Sequence, residues 1–326
     1  MLTVLSKQGP GLATASPVAK PNKRRAPSTA TWSFAAAVGI AIVFLWLLPM
    51  GYAAGGFDPA AALARWVRIG VFLGSLASLA LMLAAIGVAV TGQLMGVLWT
   101  TRNAYSLSRC QIVMWTLLVL AALAAVAVCR AHGLFSVSGS GGVISALDIW
   151  IPGELLAVMG ISLTSAVAAP AILSVKAQSE DASAAQLDAA AQRTGPGLRA
   201  MGQIMVRSLN LEPLARDLFQ SDEVAKAGTV DIGKVQQAFV TVVLWLGYLG
   251  MVLGLFWTGA WHAVDKVAAS ITTLPGMSEN FVYLLGISHA GYLAYKATPA
   301  APAAAPGSTP PQASTATPRP TPPAIQ

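Results

Sequence analysis

The chain has 326 residues, of which 55% are apolar and only 10% charged, against roughly a quarter charged in soluble domains. That balance excludes an ordinary soluble domain and puts the chain in the polytopic membrane class. Its net charge of +7 comes without basic and aromatic residues interleaved on one face, so nucleic acid is not an expected partner.

Residues 1–30 are rich in Pro, Ser, Ala and Lys and contain no acid, the composition of a disordered basic tail. Apolar stretches follow at 33–54, 66–99, 110–129, 154–175 and 235–260, with a weaker sixth at 279–297. Each approaches or exceeds the ~20 residues a helix needs to cross the hydrocarbon. Lys20, Lys23, Arg24 and Arg25 before the first, and Tyr52-Ala53-Ala54 at its end, loosely resemble a cleaved leader. Its apolar core is too long for one, so a retained helix is expected. Asp58-Pro59 marks a helix start, Asp as cap and Pro in the first turn. The second stretch is too long for one perpendicular crossing. It is expected to tilt or project, with Arg65 and Arg68 snorkelling at one end.

Cys110 and Cys129 would lie far apart on one helix, beyond disulfide reach. The loop Ser136-Val137-Ser138-Gly139-Ser140-Gly141-Gly142 lacks the phosphate-loop spacing. With six spans and the N-terminus inside, all of the 20 Lys and Arg residues but Arg65, Arg68, Arg130 and Lys266 fall on the inner side. That asymmetry predicts cytoplasmic N- and C-termini.

The largest extramembrane piece is 177–230. Gln178–Gln192 reads as a helix broken at Thr194-Gly195-Pro196-Gly197. Leu198, Met201, Met205 and Leu209 then recur at helical spacing, which predicts an amphipathic helix over 198–209. It would lie on the leaflet or pack under the bundle. Asp217, Phe219, Asp222 and Glu223 follow as candidates for docking a cytoplasmic partner. The tail 298–326, mostly Pro, Ala, Thr, Ser and Gln, is expected to be disordered and extended.

A faint repeat organises the rest. Arg109 and Gln111 open one apolar helix; Lys234 and Gln236 open another. Each leads to a second helix containing Gly-Ile-Ser, at 160–162 and 286–288. Two-helix units crossing in the same direction imply a pseudo-two-fold axis along the membrane normal. The expected organisation is therefore a basic tail (1–30), two spanning helices (31–104), repeat unit one (105–176), the amphipathic segment (177–230), repeat unit two (231–297) and the second tail (298–326). The fold class is all-α integral membrane, with about six transmembrane helices.

Gln111, Thr116, Gln236, Thr241 and His289 are the polar residues expected within or near the bilayer, as helix-joining groups or the lining of a polar path. Glu154 and Glu279 each begin a helix as cap-region acids or as an outer carboxylate mouth. Gly70/Gly74, Gly92/Gly96 and Gly250/Gly254 have the spacing of close helix contacts. His132 and His262 form no ligand pattern with His289. No metal, cofactor or catalytic constellation is indicated.

Leu107-Ser108-Arg109-Cys110-Gln111 with Trp115, Asp217-Leu218-Phe219 through Asp222-Glu223-Val224 and Lys234-Val235-Gln236, and Leu285 through Tyr292 with Lys296 together resemble signatures of a group of uncharacterised bacterial membrane proteins. The resemblance covers most of 105–297 and implies a bacterial cytoplasmic (inner) membrane location but no activity. Gln237-Ala238 departs from it, where bulkier apolar residues are expected. The favoured reading is a non-enzymatic, oligomeric membrane module whose partners are the bilayer, further copies and a cytoplasmic protein met through 177–230. The rival is an ion or small-solute channel or transporter built on the repeat helices; an enzyme acting on lipid comes third.

Overall fold

The computed structural model describes residues 50–56, 62–135, 147–195, 197–208, 211–259 and 273–298. The 1–30 tail, the second tail beyond Thr298, Asp58-Pro59, the 136–142 loop, Leu209, His262, Lys266 and all but the last turn of the first apolar stretch lie outside the described residues. The protein is mainly helical. Helix α1 spans Ala62–Thr91, α2 Leu107–Ala131, α3 Gly153–Ala177, α4 Ala184–Thr194, α5 Ile232–Thr258 and α6 Glu279–Ala297. Among the described residues, α1, α2, α3 and α5 are long and apolar enough to cross a membrane, which marks a polytopic membrane protein. Helix α6, of 19 residues, packs beside α3 and α5.

The long second apolar stretch is resolved by a break. Helix α1 starts before it and stops at Thr91. Gly92, at φ +78, turns the chain into a short 3-10 helix, Gly96–Leu98, folded back against Gly87. Gly92 and Gly96 thus serve a turn rather than a helix crossing. Among the described residues nothing lies within 4 Å of a Cβ added at Gly70, Gly250 or Gly254, so these glycines make no close helix contact there.

The core lies between α1, α2, α5 and the facing sides of α3 and α6. Phe72 of α1 stacks on Phe256 of α5 with centroids 5.2 Å apart, and Trp115 of α2 meets Tyr248 of α5 at 6.1 Å. Arg68 does not snorkel. It is buried and donates to Phe256 O (2.9 Å), Leu134 O (3.0 Å) and Trp257 O (3.3 Å). Carbonyls in a helix's last turn have no partner within the helix, and the guanidinium takes those of α5. Gly259 caps α5 at φ +69, and a Cβ there would fall 2.7 Å from the Arg68 guanidinium carbon.

The 198–209 segment is not the expected amphipathic helix. Leu198–Met201 (β1) and Ile204–Arg207 (β2) form an antiparallel hairpin. Gly202, at φ +58, begins its two-residue turn, a position that suits glycine. The turn abuts the end of α3: a Cβ on Gly202 would lie 2.5 Å from Lys176 O, and Gln203 N donates to that same carbonyl at 3.2 Å. Strand β2 also bonds the following loop, through Met205 N to Asp222 O (2.9 Å) and Val224 N to Gln203 O (2.9 Å). Helix α4 begins with a capping box between Ser183 and Gln186 and buries Ala190 against Val224 and Ala227.

Gly202→Ala should lower stability by about 1–3 kcal/mol, the range for a side chain forced into the left-handed region, here sharpened by the clash. Thermal unfolding in detergent checks this beside Gly247→Ala in α5, where nothing lies within 4 Å and helix propensity predicts no loss.

Candidate functional site

One end of the bundle, the end that carries the hairpin, collects charge. The 222–223 loop brings two acids to it, and three helix ends and the turn before α2 bring cations. Asp222 Oδ1 accepts from Arg102 Nη2 (3.0 Å) and Lys234 Nζ (2.9 Å), while Oδ2 accepts from Lys296. Arg102 precedes α2, Lys234 lies in the first turn of α5 and Lys296 in the last turn of α6. Glu223 accepts from Lys176 in the last turn of α3, and Lys176 also donates to Thr298 O at 2.7 Å.

The side chains of Lys234, Lys296 and Asp222 are only 4%, 7% and 10% exposed. At that depth the pairing decides stability, because an unpaired buried charge costs several kcal/mol. Burial alone would raise the Asp222 pKa. Arg102, Lys234 and Lys296 outweigh it and hold the carboxyl well below the usual carboxylate range.

Local bonds set the geometry. Asp231 caps α5 by accepting from Lys234 N at 3.1 Å, and Lys234 Nζ also donates to Gln220 O at 2.6 Å. Asp217 accepts from Arg207 Nη2 (2.7 Å) and Leu214 N (2.9 Å). The acids expected to dock a partner are therefore turned inward: Asp217, Asp222 and Glu223 are buried, and of the four candidates only Phe219 is exposed.

A neutral polar network lies deeper in the bundle. Gln111 Nε2 donates to Thr241 Oγ1 (2.8 Å) and to Gln237 O (3.3 Å). Gln237 Nε2 returns a bond to Gln111 Oε1 (2.9 Å) and reaches His289 Nδ1 (3.1 Å). Ser165 Oγ lies 2.6 Å from that same nitrogen. The network joins α2, α5, α6 and α3 through fully buried groups.

The structure brings Gln111, Thr241 and His289 into one network through Gln237. Gln236 is exposed, and its neighbour Gln237 takes the buried position. The signal was present in the helix period: Gln237, Thr241, Leu244 and Tyr248 form the buried stripe of α5, and Gln236 falls about 100° off it. Thr116 is half-buried and belongs to no bond of this network. Ser165 had no local signal. Glu154 lies in the first turn of α3 without capping it through a side-chain bond. In α6, Ser278 is the cap and Glu279 accepts from Tyr283 at 3.2 Å. Among the described residues, no group of three or more His, Cys, Asp or Glu side chains could hold a metal ion.

Comparison with known proteins adds no relative: no protein-family model, curated protein or solved structure matches the chain.

Asp222→Asn should destabilise the protein by about 3–5 kcal/mol, since it leaves clustered cations without their counter-charge. A carboxyl whose folded pKa is depressed stabilises the fold above its unfolded pKa and loses that contribution as pH falls through the folded value. Wild-type melting temperature should therefore drop below about pH 4, more steeply than that of Asp222→Asn. A pH series of unfolding curves checks both. For the neutral network, Gln111→Leu and Gln237→Leu should each destabilise, and the double variant by less than their sum. A coupling of roughly 0.5–2 kcal/mol is expected from a double-mutant cycle in detergent.

Proposed function

We propose that the chain is a non-enzymatic module of the bacterial cytoplasmic membrane whose 177–230 segment is held rigidly on the bundle and couples it to a cytoplasmic protein. The observation that carries this reading is the paired attachment of Asp222 and Glu223 to cations from the ends of α3, α5 and α6 and from the turn before α2. A segment fixed to three helix ends and that turn cannot swing independently, so a load or signal received there passes into the bundle. Its exposed side offers Phe219, Leu211 and Leu214 to a partner.

Six spans with both termini inside make the topology. The hairpin end then faces the cytoplasm, consistent with Arg65, Arg68 and Arg130 lying toward the opposite end and with the positive-inside rule. A pseudo-two-fold relation between α2–α3 and α5–α6 is supported by their matched starts, with Ser106 capping α2 and Asp231 capping α5. It is supported again by the strand-like bridge joining Trp150 and Thr273 ahead of α3 and α6.

The rival, a conduit on the repeat helices, is favoured by one observation, the network Gln111–Gln237–His289–Ser165. Against it, the next turns of α2 and α5 close over that network with Trp115, Leu118 and Tyr248, all fully buried. A pore would need that constriction to open.

Purified protein in liposomes should leave them as tight to ions and small solutes as protein-free vesicles, with wild type and the Gln111→Leu/Gln237→Leu double variant alike. Flux above background in the wild type that falls in the double variant would overturn the module reading and establish the conduit.

A further inference from the structure

A half-enclosed cavity of about 360 Å³ opens at the hairpin end, between the start of α2, the last turns of α3, the hairpin and the ion cluster. Its volume lies in the range of small-molecule sites. Its wall has two halves. One is apolar, from Leu107, Ala169, Pro170, Leu173, Met201 and Ile204. The other is cationic, from Arg102, Arg109, Lys234 and Lys296, with Asp222 as the one acid in the lining. Three of those cations already share Asp222, so the wall keeps a surplus of positive charge.

The donors are also in surplus. An ammonium has three N–H groups. Lys234 Nζ uses two, on Gln220 O and Asp222, and Lys296 Nζ uses two, on Asp222 and Tyr292 Oη. Arg102 spends one amino group on Asp222. Burying so much positive charge beside unspent donors is costly unless an anion completes the set. A phosphate accepts several such bonds at once, and charge-assisted bonds of this kind are the strong ones.

Height in the bundle defines the rest of the ligand. Apart from Met201 and Ile204 of the hairpin, the apolar half is built from the last turns of α3 and the first residue of α2, both membrane-capable helices, so it sits where acyl chains meet headgroups. A soluble anion has no use for that wall.

We propose that this cavity binds an anionic, phosphate-headed amphiphile, with its phosphate on Arg102, Arg109, Lys234 and Lys296 and the start of its chain against Leu173 and Pro170. The site stands whether or not the 177–230 segment meets a protein partner. It makes the ion cluster responsive to the composition of the leaflet.

The test uses the full chain in detergent. Binding of short-chain phosphatidylglycerol, short-chain phosphatidylcholine and inorganic phosphate is read by native mass spectrometry and by the shift in melting temperature. Two variants accompany it. Arg102→Gln/Arg109→Gln removes wall charge while leaving Lys234 and Lys296 on Asp222. Ser174→Trp, at an exposed lining position, fills the cavity without touching any charge. Phosphatidylglycerol should bind and stabilise the wild type, phosphatidylcholine and phosphate should not, and either variant should weaken binding tenfold or more, roughly the loss of one charge-assisted bond. Equal binding of the two lipids, or undiminished phosphatidylglycerol binding in a folded Ser174→Trp, would overturn the site. A full shift with inorganic phosphate alone would overturn the amphiphile in favour of a soluble phosphate compound.

Discussion

The carboxylate of Asp222 is the interaction on which this end of the molecule depends. It gathers Arg102, Lys234 and Lys296, which arrive from the turn before α2 and from two separate helix ends. Without that negative charge the three would repel one another in a half-dry site, where screening is weak. Glu223 does the same for Lys176 one residue on. Because the two acids are adjacent, the loop that holds them fixes three helix ends and the turn before α2 at once. The hairpin is held in turn, since Met205 N bonds the Asp222 carbonyl while the Asp222 side chain bonds the cations. Backbone and side chain of one residue thus join the hairpin to the bundle.

The opposite end is held on another principle. There the Arg68 guanidinium spreads over carbonyls of α5 and of Leu134. Charge meets the negative end of a helix dipole and supplies donors to groups that lack them. Between the two ends the polar contacts are neutral, through Gln111, Gln237, Thr241, His289 and Ser165. Amides and hydroxyls join helices there at far lower desolvation cost than ions would carry. Formal charge is thus confined to the two ends and neutral bonding to the middle, as a bilayer requires.

The polar face of this bundle was partly legible. Gln111 and His289 stand out because amides and imidazoles are rare in apolar runs, and the structure makes both partners of Gln237. Residue spacing between the two repeat units points to Gln236, whereas the α5 stripe through Thr241 and Leu244 puts Gln237 inside. The 198–209 segment failed for a related reason. Leu198, Met201 and Met205 satisfy a helical period, but so short a run is also compatible with alternating strands. Gly202 at positive φ, pressed against the end of α3, decides for a hairpin. That decision lies in the contact with α3, which no local window contains.

Membrane character, the positions of four long helices and the caps at Ser106 and Asp231 were determined by the sequence itself, because hydropathy and end-capping act over a few neighbouring residues. The tertiary structure alone decided that Asp217, Asp222 and Glu223 face inward and that a cationic cavity forms beside them. Asp222 pairs across separations of 120, 12 and 74 residues. An acid looks the same in a sequence whether it faces water or three cations, and only the packing of distant helix ends determines which it meets.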